Sequence, residues 1–190
     1  MAQTDILTEV ARRLDELGLP WMLVGSWAAS IYGDYRATHD IDVVIAYRVC
    51  DVESIVAAFG AEYYADADML RSGLERASIS NLIHYETSEK VDLCPVRDTE
   101  YDRLALQRRV RSSYFGTAVW TATPEDIVLS KLHWSKSSLS EMQWHDAFMI
   151  VRLHRELDVA YLRHWADFLG VSERLEQMLV EAWPDGEAPD

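Results

Sequence analysis

Two aspartates, Asp40 and Asp42, stand one residue apart at the head of an otherwise apolar stretch that continues Val43-Val44-Ile45-Ala46. Ile41 to Ala46 is rich in β-branched residues and reads as a strand. Residues two apart on a strand share a face, so the two carboxylates stand side by side. Such a pair repels itself. At a solvated strand end water screens it; in a partly buried setting it takes up a proton or binds a cation, and Mg²⁺ with its oxygen ligands suits it. Upstream, separated from Asp40 by thirteen residues, lies Val24-Gly25-Ser26. There a strand runs into a helix whose first amides and glycine permit close approach of a phosphate. The expectation is a metal pair and a phosphate cradle serving one cleft.

The elements that must carry these residues follow from periodicity. Ile6, Leu7, Val10, Ala11, Leu14 and Leu17 recur at helical spacing, and Gly18 with Pro20 ends that helix. Trp21 to Val24 is a short apolar strand, and Ser26 to Tyr32 a helix closed by Gly33. Asp51 to Phe59 is helical, Ser78 to Tyr85 and Lys90 to Val96 form a strand pair, and a last strand lies near Ala118 to Thr121. From Thr123 the pattern is helical, with Thr123 as N-cap and Pro124 at the first helical position. Ser138 with Glu141 reads as a capping box, and Asp158 and Ser172 as N-caps of two more helices. The tail from Trp183 onward, rich in Pro, Gly and acid, reads as a frayed end. The predicted class is α+β: a small mixed sheet with flanking helices over residues 1–122, then a helical lobe over 123–190, in one compact unit.

Two charged residues fall on apolar stripes in the helical lobe. At about 100° per residue, Lys131 lies on the stripe of Ile127, Val128 and Trp134. Asp146 is flanked by Leu139, Met142, Met149, Ile150 and Leu153. Neither position suits a charge without a partner. A buried Lys131–Asp146 salt bridge joining the two helices is one way to meet that need.

With those residues in view, the chain resembles the polymerase-β-like nucleotidyltransferase superfamily, whose signature is Gly-Ser, about a dozen residues, then Asp-x-Asp on a strand. The stretch Leu23-Val24-Gly25-Ser26-Trp27-Ala28-Ala29 leading to Tyr35-Arg36-Ala37-Thr38-His39-Asp40-Ile41-Asp42 looks most like the AbiEii-related branch, which is connected with toxin-antitoxin systems. The likeness continues through the Pro-Glu-Asp helix Thr123-Pro124-Glu125-Asp126-Ile127-Val128-Leu129-Ser130-Lys131-Leu132.

The resemblance implies a third acid on a later strand, and Asp92 in Lys90-Val91-Asp92-Leu93 fits; the competing reading is a charge on the open face of an edge strand. It also implies that Asp40, Asp42 and Asp92 hold Mg²⁺ or Mn²⁺, with Asp92 helping to deprotonate the acceptor. Gly25, Ser26, Arg36, Lys131 and Asp146 would bind the nucleotide, although Arg36 serves equally well as a brace for its loop. The implied reaction is in-line attack by an acceptor hydroxyl on the α-phosphorus of an NTP, with pyrophosphate leaving. AbiEii relatives include toxins that modify tRNA, and other small members modify antibiotics or proteins, so the acceptor stays open among these. A cognate antitoxin is an implied partner, and a weakly active nucleotide-binding partner protein is the rival reading. One departure matters: relatives often place Arg before the residue matching Asp146, whereas here it is His145, which makes phosphate neutralisation weaker or pH-dependent.

Composition narrows the remainder. Eighteen basic against thirty-two acidic side chains leave a net charge of −14, which opposes non-specific binding to polyanions. The cluster Arg108, Arg109 and Arg111 is either a solvated helix end or a small RNA contact. Cys50 and Cys94 lack metal-ligand or disulfide spacing and read as small core residues. The histidines show no metal-binding spacing; His154 and His164 read as surface or satisfied core residues, and His39 as facing away from the acids. Neither a membrane-spanning run nor a signal segment is seen, so the expectation is a cytoplasmic protein with no membrane partner.

Overall fold

The computed structural model describes residues 3–36, 38, 40–138 and 140–184. The elements of the first half are α1 (Gln3–Leu17), β1 (Trp21–Leu23), α2 (Gly25–Tyr32), β2 (Asp40–Ile45), α3 (Val52–Phe59), β3 (Tyr63–Tyr64), α4 (Ala67–Arg76), β4 (Ser80–His84) and β5 (Lys90–Pro95). They are followed by α5 (Glu100–Arg108), β6 (Val110–Tyr114), β7 (Thr117–Thr121), α6 (Pro124–Ser138), α7 (Glu141–Leu153), α8 (Val159–Leu169) and α9 (Ser172–Ala182). The chain divides into two units, Met1–Val24 with Ala37–Ala122, and Gly25–Arg36 with Thr123–Asp190. A single cut after residue 122 would assign 25–36 to the sheet, but α2 packs on α6 and α7.

In the first unit the strands form one seven-stranded mixed sheet in the order β3-β4-β5-β2-β1-β7-β6. β2 runs parallel to β5 and antiparallel to β1, which runs parallel to β7. Burial alternates strictly along β2: Ile41, Val43 and Ile45 are fully buried, while Asp40, Asp42 and Val44 face the other side. The apolar side continues through Leu82, Val91 and Leu93, also fully buried. Helix α4 packs on β4 and β5, and α3 packs on α1 and α4. One sheet face is thus committed to the core, and a slip of one residue would drive Asp40 and Asp42 into it.

The second unit is helical. α6 packs on α7 and α8, and α9 on α7 and α8. Leu132, Ile150, Leu162, Leu175 and Met178 are fully buried in this unit. Thr123 caps α6 as expected, its hydroxyl accepting from the Asp126 amide at 3.3 Å. Asp158 caps α8 through the Tyr161 amide. Two expected caps move. α6 continues to Ser138, so Ser140 caps α7 instead, and α9 starts at Ser172 behind a Val171 cap with no side-chain bond. Trp183, expected in the frayed tail, is buried, and residues 185–190 lie outside the described set. Trp134, expected on the apolar stripe of α6, is 61% exposed.

Among the described residues, β3, α4, α5 and β6 escaped the sequence reading. Each is short or polar. α4 buries only Leu70 and Gly73, and β6 at the sheet edge buries only Tyr114, so each offers few apolar residues to mark it. Among the described residues no helix is long and apolar enough to cross a membrane.

Gly73 marks a close approach in the first unit. A methyl group there would fall on Ser80 Oγ and lie 3.1 Å from the Ser78 carbonyl oxygen. Gly73→Ala is expected to cost about 1–3 kcal/mol in urea unfolding. Ser80→Ala in that background removes the clashing hydroxyl and should recover part of the loss.

Candidate active site

In the first unit the chemistry gathers on the sheet face opposite the core. β2 and β5 pair in parallel with Asp40 opposite Lys90, Asp42 opposite Asp92 and Val44 opposite Cys94. Registered residues of neighbouring strands share a face, so all three expected acids stand on one side of one strand pair. Asp92 lies on an interior strand and not on an edge, and it is 7% exposed. Its Oδ1 accepts from Asn81 Nδ2 at 2.6 Å, across the β4–β5 ladder. Its Oδ2 is 3.2 Å from Lys90 Nζ, which also lies 3.6 Å from Asp40 Oδ1.

Electrostatics agree with that crowding. Burial pulls the Lys90 ammonium down, but Asp92 and Asp40 together outweigh it and raise its pKa above the ordinary lysine value. The Cys94 thiol is pushed up to about 12, first by burial and then by the charges of Asp42 and Asp92. Cys94 therefore feels both acids, as its place on the same face requires. It is half-buried beside the acids rather than in the core, and Cys50 is exposed, so neither cysteine is the core residue expected of it.

The donors on this face suit a hard divalent cation, being carboxylate oxygens on rigid strands. Among the described residues, however, no three His, Cys, Asp or Glu side chains are drawn together closely enough to hold a metal ion. The cation found between Asp40 and Asp92 is the Lys90 ammonium.

The second unit holds a separate cluster. Gly25 has φ +65°, a left-handed conformation that favours glycine, and it turns the chain from the end of β1 into α2. At the next residue, the Ser26 hydroxyl accepts from Arg36 Nη2 and lies 3.5 Å from Lys131 Nζ. Lys131 Nζ donates to Asp146 Oδ2 at 2.8 Å, and Arg36 Nη2 lies 3.7 Å from the same oxygen. Lys131 and Asp146 are both nearly buried, so the ion pair read from their stripes is formed. Arg36 also anchors its own loop, its amide donating to Ser30 Oγ at 3.3 Å. Two positive charges against one carboxylate leave this cluster at +1 within a chain of −14.

The remaining sequence candidates lie elsewhere. His145 points to Asp34 at 3.8 Å, with both side chains well exposed, and not to the Lys131 pair. His154 is satisfied by the Tyr32 carbonyl and Glu156, and His164 is exposed. His39 lies outside the described residues. The arginine cluster is engaged within the first unit: Arg109 and Arg111 lie over the Trp120 ring, and Arg111 pairs with Asp15 at 2.8 Å. Glu125 and Asp126 of the Pro-Glu-Asp stretch tie α6 to the start of α8, through the Asp158 amide and the Tyr161 hydroxyl. Sequence reasoning missed Asn81 and Lys90. Lys90 was within reach, because it stands two residues before Asp92 and shares its face; Asn81 required the β4–β5 register.

Removing one member of the Lys131–Asp146 pair strands a buried charge, so Lys131→Met should cost about 3–5 kcal/mol in urea unfolding. Lys131→Met with Asp146→Leu should recover most of it. Thiol chemistry checks the acid face: at pH 8 a disulfide reagent should label Cys50 alone in the folded protein and both cysteines in urea, because the raised pKa keeps Cys94 protonated.

No protein-family model and no curated protein matches the chain by sequence. Solved structures do resemble it. The solution structure of the antibiotic-resistance factor ANT(2'')-Ia is 20% identical, with a TM-score of 0.57 over 93% of this chain and 97% of that one. ANT(2'')-Ia in complex with adenylyl-2''-tobramycin gives 17% identity and a TM-score of 0.58, covering 87% of this chain and 97% of that one. An antigenic nucleotidyltransferase-like protein from Paracoccidioides brasiliensis gives 16% and 0.56, covering 92% and 90%. At these identities the likeness is one of fold: the chain has a nucleotidyltransferase-type fold over most of its length.

Proposed function

We propose that the protein transfers a nucleoside monophosphate from an NTP to an acceptor hydroxyl, in the cytoplasm. The observation carrying this reading is the register of β2 and β5, which sets Asp92 opposite Asp42 and beside Asp40 on one face. The nucleotidyltransferase-type fold adds to it.

In this reading Asp40, Asp42 and Asp92 hold Mg²⁺ or Mn²⁺, which supplies charge stabilisation on the phosphates when bound. Gly25 and Ser26 open a helix whose first amides suit a phosphate. Lys131 and Arg36 offset triphosphate charge, and Asp146 holds the Lys131 ammonium in place. The acceptor oxygen forms a bond to the α-phosphorus as the bond to the pyrophosphate oxygen breaks, and the acceptor proton passes to the Asp92 carboxylate. Asn81 orients that carboxylate through Oδ1.

Two acceptor classes follow. A small antibiotic is favoured by the fold likeness to an antibiotic-resistance factor and by the −14 charge, which suits a cationic acceptor better than a polyanion. A toxin activity on tRNA or protein, with a cognate antitoxin, follows from the AbiEii-like Thr123–Leu132 stretch.

Incubation with each α-labelled NTP and Mg²⁺, in the presence of total tRNA, cell lysate or a panel of aminoglycosides and lincosamides, identifies donor and acceptor together. Asp42→Asn should lower transfer by at least ~100-fold. Transfer by Asp42→Asn at the wild-type rate would defeat the reading. NTP binding without pyrophosphate release on any acceptor would point instead to a nucleotide-binding partner protein.

A further inference from the structure

Lys90 is drawn into the acid face of the first unit by ion pairing with two of the expected metal ligands, Asp40 and Asp92. It stands opposite Asp40 in the parallel ladder and two residues before Asp92 on its own strand, so the backbone delivers its stem to the same face as both acids. Its ammonium lies between Asp92 Oδ2 at 3.2 Å and Asp40 Oδ1 at 3.6 Å. The side chain is 35% exposed, in contrast to the nearly buried Lys131, so it has a route into water.

We propose that Lys90 is a tethered counter-cation that occupies the place between Asp40 and Asp92 and competes there with divalent metal. The proposal rests on the reading that these acids take such an ion. Three carboxylates on one face repel one another, and a lysine that neutralises one charge in three lets the sheet form without metal. The oxygens it holds belong to two of the three acids that reading assigns to the ion. Metal entry must therefore displace the ammonium into water, and the metal affinity of the free protein is set below what the acids alone would give. A flexible single-charge side chain suits this role better than a guanidinium, whose planar fork binds carboxylate more persistently.

The test is calorimetric titration of the nucleotide-free protein with Mn²⁺, for the wild type, Lys90→Met and Lys90→Arg, with Lys90→Gln as a second neutral variant should Lys90→Met fail to fold. An opposite charge at this distance shifts such equilibria by one order of magnitude or more, and partial exposure favours the low end. The neutral variants should therefore bind Mn²⁺ roughly tenfold tighter than wild type, and Lys90→Arg no tighter. Thermal unfolding gives a second readout: a neutral variant should melt lower than wild type without metal and gain more from added Mn²⁺. If a folded neutral variant binds Mn²⁺ as the wild type does, or more weakly, the competition is refuted while metal binding by the acids stands. If neither wild type nor neutral variant binds saturably, the metal reading falls and this inference with it.

Discussion

The parallel pairing of β2 with β5 is the constraint on which the rest of the first unit depends. One side of that strand pair is the hydrophobic core, where Ile41, Val43, Val91 and Leu93 are fully buried. Because side chains alternate, committing those residues to the core commits Asp40, Asp42 and Asp92 to the opposite face together. Core burial holds the carboxylates in place against their mutual repulsion. What offsets that repulsion locally is small and specific: the Asn81 amide on one oxygen of Asp92, and the Lys90 ammonium between Asp92 and Asp40.

The second unit solves a different electrostatic problem. Lys131 and Asp146 lie on apolar helix faces, and each is tolerable there because of the other. Arg36 and Ser26 extend the pair into a small network with an excess positive charge, reached from the left-handed turn at Gly25. The acids of the Pro-Glu-Asp stretch have a structural task here, since Glu125 and Asp126 bind the start of α8. Glu125 and Asp126 thus serve helix docking, whereas Lys131 lies within the charged cluster.

Legibility varied with the kind of signal. α1, β2, β5 and α8 were readable because each couples a clear period to a cap or a turn residue. α4, α5 and β6 were not, because elements that bury one to three residues carry few apolar side chains to mark them. The caps of α7 and α9 were misplaced by one or two positions, since several serines compete and only backbone direction selects among them. Trp134 and the two cysteines were misjudged for a common reason: apolar character states a preference for burial but not which side of an element is covered.

Sequence alone determined the Asp40–Asp42 pair, the mixed α+β class, and the demand that Lys131 and Asp146 find partners. Each is a local property, fixed by alternation or helical spacing within a few residues. Tertiary structure decided that Asp92 stands opposite Asp42 on an interior strand, that Asn81 and Lys90 are its partners, and that residues 25–36 pack with the helices after residue 122. These are matters of register and contact between distant segments. They depend on which apolar faces are buried against one another, and no short stretch of the chain contains that information.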